Sequence, residues 1–229
     1  MALLGLAAAA AAEPVSFAHG TADQQFTTTP AGAPSGFTFS GAYHAAGDAQ
    51  ADPRYMRRIV FYNPPGTRYD TSVPDRCTAS DLELETQGPA ACPPGSVLGK
   101  GSGGGRIAGT FAGSFDVFLL NNADQQVLVT RTPLSWTVSR GRIHPDGSIE
   151  YASPTCRPSN DPPGGPVDDA LQLRASMNVP AYVKASRSYI TTPPTCQASG
   201  QWETPIKYWW ADGTQDTVLT EQPCASTPS

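Results

Sequence analysis

The chain reads Phe115-Asp-Val-Phe-Leu-Leu120, then Gln126-Val-Leu-Val-Thr-Arg131, then Leu134-Ser-Trp-Thr-Val-Ser-Arg-Gly-Arg142. All three segments are rich in β-branched and aromatic residues, which favour strands. The intervening Asn121-Asn-Ala-Asp124 is typical of a turn, because Asn and Asp tolerate turn conformations. This stretch therefore predicts consecutive β-strands.

The same pattern continues on both sides. Gly and Pro occur 22 and 23 times among the 229 residues, which suits short strands joined by tight turns and disfavours long helices. We therefore expect an all-β fold, a β-sandwich of the immunoglobulin-like or jelly-roll-like type with about ten or eleven strands. The other strand segments are Gly36–Tyr43, Arg57–Tyr62, Ser96–Leu98, Arg106–Phe111, Ser148–Tyr151, Leu171–Val179, Tyr189–Thr192, Gln201–Trp210 and Gln215–Glu221.

One short helix is expected between Cys77 and Cys92. A capping box formed by Thr78 with Asp81, or by Ser80 with Glu83, would begin it. Gly88-Pro89 would end it. A disulfide closing a loop of this size stabilises the fold by about 3 kcal/mol in the chain-entropy model, and such a bond would hold a helix too short to be stable alone.

The ends of the chain differ in composition from its middle. Residues 1–12 are apolar and Ala-rich, which predicts a signal peptide, although no Lys or Arg precedes the apolar run. Residues 13–34 are polar and predict a flexible lead-in. We expect residues 35–229 to form a single domain, with the Pro- and Gly-rich loop 153–169 as its one candidate internal boundary.

Charge and hydropathy argue against nucleic-acid binding and against a membrane-spanning segment. The net charge is −5 and no basic block occurs, which argues against nucleic-acid binding. After the N-terminal segment no run of about 18 apolar residues follows, so we expect no membrane span in the mature chain.

Two stretches, taken together, resemble a known group of proteins. The first comprises Ile59-Val-Phe-Tyr-Asn-Pro-Pro-Gly-Thr67 and the region from Pro74 to Gly99; the second runs from Tyr189 to Cys224 and includes Tyr208-Trp-Trp-Ala-Asp-Gly213. They are similar to functionally uncharacterised, secreted, β-rich proteins of high-GC actinobacteria. The resemblance implies export, two disulfides and an all-β fold, and it implies no activity.

The five cysteines also indicate an oxidising compartment. Cys77 and Cys92 flank the helical loop and Cys196 and Cys224 flank a hairpin, so each pair is brought close in space. Connectivity stays open at this point, because five cysteines allow fifteen ways of forming two bonds. Cys156 is left over; it is either buried, a free thiol, or a bridge between two chains.

No motif indicates an enzyme or a cofactor. The segment 99–104 formally contains G-x-G-x-x-G, but strands on both sides argue against a nucleotide site and favour a bulged strand. His19, His44 and His144 lack catalytic or zinc spacing and are interpreted as solvated turn residues.

The acidic residues give no stronger signal. A glycosidase needs two carboxylates at a defined separation, and no spacing brings any two of Glu150, Glu203 and the loop acids together. Calcium binding by Asp161, Asp168 and Asp169 is a minor alternative to a solvated acidic loop. We therefore expect neither catalysis nor a metal.

The strongest surface candidate is Tyr208-Trp209-Trp210. Strand alternation places Ile206, Tyr208 and Trp210 on one face and Trp209 on the other, so one of the two sets lies outside and could stack on a sugar or anchor a partner chain. The sequence thus predicts a secreted structural or binding protein of the cell envelope or extracellular space, which could be a self-assembling subunit. The alternative is a carbohydrate-binding module, or a weakly marked glycan hydrolase, that uses this surface.

Overall fold

The computed structural model describes residues 13–107, 110–132, 136–152 and 170–226. Strands dominate these residues, and one short α-helix, α1 (Asp81–Gln87), is present among them. The strands are β1 (Val15–Phe17), β2 (Gly20–Phe26), β3 (Pro34–Ser35), β4 (Phe37–Tyr43), β5 (Met56–Phe61), β6 (Arg68–Tyr69), β7 (Val97–Ile107), β8 (Thr110–Asn122), β9 (Gln125–Arg131), β10 (Trp136–Ile143), β11 (Ile149–Ala152), β12 (Ala170–Val179), β13 (Val183–Lys184), β14 (Arg187–Ser188), β15 (Ile190–Thr191), β16 (Gln201–Trp210) and β17 (Gln215–Pro223).

Twelve strands form one antiparallel sheet in the order β1-β2-β4-β12-β7-β8-β9-β10-β11-β5-β16-β17. The all-β class and the single short helix agree with the sequence prediction. The expected arrangement of two separate sheets does not, because the sheet is continuous, nearly closed and barrel-like. One face of each strand therefore points to a common interior.

Side chains join the two ends of this sheet along a seam between β2 and β17, which run parallel there. The Gln222 amide accepts a hydrogen bond from Phe26 N–H (2.6 Å) and donates one to Phe26 O (2.9 Å). The Thr220 hydroxyl donates to Gln24 O at 3.2 Å. Buried backbone groups that would otherwise have no ladder partner are thus satisfied.

The expectation of a flexible lead-in over residues 13–34 is wrong. Both β1 and β2 belong to the main sheet, and the side chains of β2 alternate between buried and partly buried positions. Ala22 and Phe26 are buried, with 0% and 7% of their surface exposed. This segment is polar in composition because only every second residue of β2 faces the interior.

Helix α1 begins as predicted. The Ser80 hydroxyl accepts a hydrogen bond from Glu83 N–H and the Glu83 carboxylate accepts one from Ser80 N–H, so the alternative of Ser80 with Glu83 is confirmed. Leu84 is fully buried on the outer face of the sheet, against Val127 and Val129 of β9. The Cys77–Cys92 disulfide lies in the same cluster and holds this covering layer in place.

A small three-stranded sheet, β3-β15-β6, covers one end of the main sheet. Its Ile190, together with the neighbouring Tyr189, is buried against residues from the ends of four long strands, namely Phe26, Leu98, Val179 and Trp202. This end of the interior is therefore filled by side chains, and we call it the floor.

Among the helices of the described residues, none has the length and apolar character needed to cross a membrane.

Candidate functional site

The interior of the main sheet holds a cavity of about 230 Å³. This volume exceeds that of the roughly 150 Å³ engineered cavity in another protein that binds one benzene molecule. Several side chains point inward and are still partly exposed, because they face this space instead of packing against each other. The apolar part of the wall includes Phe37, Phe39, Ile59, Phe61, Val117 and Leu128.

Small residues on β7 and β12 help to leave this space open. Gly103 of β7 is paired with Ala175 of β12 and with Phe115 of β8, and all three line the cavity. A Cβ atom at Gly103 would lie 2.6 Å from the Phe115 ring, so the glycine allows that ring to lie across the strand. The segment 99–104 is thus a bulged strand, as predicted, with register shifts at Val97/Gly99 and Gly104/Arg106.

The floor carries neutral polar groups that already bond to one another. The Tyr151 hydroxyl donates to Gln126 Oε1 at 2.7 Å, and Gln126 Nε2 donates to the Tyr189 hydroxyl at 3.1 Å. On the other side, Asn63 accepts from Gln24 Nε2 at 2.8 Å and donates to the Tyr69 hydroxyl at 3.0 Å.

Burial extends the pH range over which these phenols stay neutral. It raises the pKa of Tyr69, Tyr151 and Tyr189 well above the usual value, since removal from water disfavours the phenolate. A ligand reaching the floor therefore meets a polar surface without charge, whose main donors and acceptors are mutually paired.

Arg106 supplies the one charge among the described residues that line the cavity. It lies at the far end of β7 from Leu98, which belongs to the floor cluster. Arg106 Nε is 2.5 Å from Asp52 Oδ2, and both side chains are 36% exposed. Asp52 belongs to the connection between β4 and β5, so this ion pair joins that connection to the cavity wall.

The predicted surface of Tyr208, Trp209 and Trp210 is mostly internal. Strand alternation is as predicted, but Tyr208 and Trp210 are 0% and 2% exposed and pack in a core cluster with Ile206. Trp209 faces outward and is partly exposed. Its ring is contacted by Arg58, whose Cζ lies 4.4 Å from the ring centroid, and by Lys207 Nζ at 4.9 Å.

A shallow groove on the outer surface lies beside Trp209. Among the described residues, it contains the only histidine–carboxylate pair that is exposed to solvent. Glu150 Oε1 is 2.7 Å from Arg58 Nε, and Glu150 Oε2 is 3.3 Å from His144 Nε2. Tyr62 is 40% exposed along the same groove. His144 is thus partly exposed in a turn, close to the prediction.

His19 differs from its prediction as a solvated residue. It is 4% exposed, its ring stacks on Trp210 at 4.7 Å, and its Nδ1 lies 2.5 Å from Asp216 Oδ2. Asp216 also accepts from Trp210 Nε1 at 2.7 Å. The turn between β1 and β2 places His19 at the seam, in a long-range contact that local spacing does not reveal. His44 bonds to Ala45 O at 2.7 Å.

Both expected disulfides are present, Cys77–Cys92 and Cys196–Cys224. Two such bonds are typical of proteins that reside in oxidising, extracellular-type compartments. Cys156 and the calcium candidates Asp161, Asp168 and Asp169 lie outside the described residues, as does the candidate boundary 153–169. Within the described ranges, no three His, Cys, Asp or Glu side chains lie together in a metal-binding arrangement.

Sequence reasoning missed the cavity. One signal was available: the inward positions of β9 are Gln126, Leu128 and Thr130, whereas its outward positions are the apolar Val127 and Val129. Such mixed polarity on the inner face of a strand is typical of a wall around a ligand space, not of a tightly packed core.

Comparison with protein-family models, with curated proteins and with solved structures finds no match to this chain.

Proposed function

We propose that the protein is a secreted binding protein that holds one small, mostly apolar molecule inside its sheet. The observation that carries this proposal is the cavity of about 230 Å³ with partly exposed Phe37, Phe39, Ile59 and Leu128 on its wall. Apolar side chains facing an interior space gain free energy when a ligand removes them from water. Concave sites of this composition are the usual location of small-molecule binding.

Export is part of the same proposal. The two disulfides and the resemblance to secreted actinobacterial proteins support it. Catalysis is not part of this proposal. The described contacts of the side chains that face the cavity identify neither an activated nucleophile nor a paired general acid and base.

Two alternatives from the sequence have less support. Glycan binding at residues 208–210 retains only Trp209, because Tyr208 and Trp210 are buried, and Arg58 and Lys207 already contact its ring. Self-assembly through residues 13–34 is weakened because β1 and β2 are already paired within the chain.

The test is calorimetric titration with 1-hexanol and 1-octanol. We expect saturable binding of one molecule, tightening about fourfold for each added methylene, since burying one CH₂ contributes about 0.8 kcal/mol. Ala175→Trp should abolish binding, because Ala175 lines the cavity and the indole would occupy it.

The matched control is Ala42→Trp, which introduces the same side chain at an exposed position of β4. It should bind as the unmodified protein does. A folded Ala175→Trp variant with unchanged octanol affinity would show that ligands bind elsewhere.

A further inference from the structure

The charge distribution of the cavity points to the class of ligand, and this inference rests on the proposed function above. We infer that the ligand is an amphiphile with one anionic head group, which binds Arg106 in place of Asp52 while its apolar tail occupies the cavity toward the floor.

Arg106 faces the cavity from the C-terminal end of β7, where it is paired with Leu171 of β12. Leu98, eight residues earlier on the same strand, packs in the floor cluster with Tyr189. At about 3.3 Å per strand residue, Arg106 and Leu98 are separated by roughly 26 Å along the strand, so an apolar chain shorter than this can extend from Arg106 toward the floor.

The two ends of the cavity differ in charge. Gln126 and Asn63 at the floor are hydrogen-bonded to the tyrosines around them, so they require no polar group from a ligand. The wall between the ends is mostly apolar, with Phe39, Val117 and Leu128 on it, and its polar members, such as Thr130, carry no charge. An apolar tail fits there, and among the described residues that line the cavity an anionic head group meets a cationic partner only at Arg106.

The guanidinium group of Arg106 has a geometry that suits an anionic head group. Arginine presents five N–H donors in a planar fork that matches a carboxylate or phosphate through two parallel hydrogen bonds. The contact with Asp52 is made through Nε. Both partners are 36% exposed, and ion pairs at this level of exposure are weak because water screens them.

Asp52 therefore occupies the position of the ligand head group in the ligand-free protein. It lies just beyond a short turn in which Ala45 N–H donates to Ala51 O at 2.9 Å and Asp48 N–H donates to Ala45 O at 3.1 Å. Exchange of one carboxylate for another at Arg106 conserves the charge balance of the site, with the Asp52 side chain released to water.

The experiment compares octanoate with 1-octanol at pH 7 in the unmodified protein, Arg106→Gln and Asp52→Asn. We expect the unmodified protein to bind octanoate up to about fivefold more tightly than octanol, because a charge pair at this level of exposure contributes at most about 1 kcal/mol. Arg106→Gln should lose this preference, so that its octanoate affinity falls to about its octanol affinity. Asp52→Asn should bind octanoate several-fold more tightly, since its competitor is removed.

Arg57→Gln is the charge-matched control, because Arg57 is exposed on β5 and does not line the cavity. It should leave both affinities unchanged. The octanoate affinity should also weaken as salt is raised, whereas that of octanol should not.

Two results separate failure of this inference from failure of the proposed function. Equal binding of octanol and octanoate, with Arg106→Gln indistinguishable from the unmodified protein, would overturn the role of Arg106 and retain the cavity. Absence of binding by both probes would overturn the proposed function and the inference together.

Discussion

Replacement of Gln222 by alanine tests how the sheet is closed. Gln222 is 8% exposed, and its amide makes hydrogen bonds to both the N–H and the C=O of Phe26, at 2.6 and 2.9 Å. The substitution removes both partners while leaving the backbone of β2 in place. Phe26 would then have two buried polar groups without their hydrogen bonds across the seam.

The expected cost follows from these two groups. A buried donor or acceptor left unsatisfied costs about 1–3 kcal/mol, so two cost about 2–6 kcal/mol. The truncated side chain no longer loses about 1.5 kcal/mol of rotamer entropy on folding. We therefore expect Gln222→Ala to lower the free energy of unfolding by about 3 kcal/mol.

Equilibrium unfolding in urea, followed by tryptophan fluorescence, measures this loss. Gln215→Ala is the matched control, because Gln215 lies exposed at the start of the same strand, and it should change the free energy of unfolding by less than about 0.5 kcal/mol. A loss below about 1 kcal/mol for Gln222→Ala would mean that the seam does not depend on this amide.

Three further predictions concern the core. Leu84→Ala should lower the free energy of unfolding, measured in urea, by about 2–5 kcal/mol, because Leu84 is fully buried. Leu82→Ala should leave this free energy almost unchanged, since Leu82 is 64% exposed. Asp216→Ala should lower the free energy of unfolding by about 3 kcal/mol, because His19 and Trp210 both lose their hydrogen-bond acceptor. An unchanged unfolding midpoint would refute the role of this contact at the seam. Absorbance titration at 295 nm should leave five of the eight tyrosines protonated past pH 11, since burial raises their pKa; eight tyrosines titrating together in the folded protein would contradict this. Because the folded state then holds protons that the unfolded state has lost, stability should fall as the pH rises above about 10.

Local patterns in the sequence were sufficient for the individual elements. The capping box of Ser80 and Glu83 located the start of α1, and the predicted strand segment Arg57–Tyr62 contains most of β5. Strand alternation also separated Trp209 from its neighbours. These features depend on residues that lie close together in the sequence, so they can be predicted from it.

The closure of the sheet is not local, and for this reason it was not predicted. The contact of Gln222 with Phe26 spans 196 residues, and the same alternation that builds a sandwich also builds a closed sheet. Residues 13–34 were assigned to a flexible lead-in for the same reason, since the seam partner of β2 lies at the other end of the chain. His19 became a buried residue only through that pairing.

The cavity was not predictable because it depends on volume that side chains leave empty. Gly103 and Ala175 could equally belong to a tightly packed strand pair, and only the curvature of the whole sheet shows that they face open space. The polar inner face of β9, with Gln126 and Thr130, is the one local feature that indicated it.

The most direct test of the account is the position of a bound amphiphile inside the protein. Nuclear Overhauser effects between octanoate and the isotopically labelled protein report contacts of a few ångströms. We predict effects from the octanoate chain to the methyl groups of Val117 and Leu128, which face the cavity. Effects confined to Trp209 and Tyr62 on the outer face, with none to Val117 or Leu128, would contradict the interior binding site.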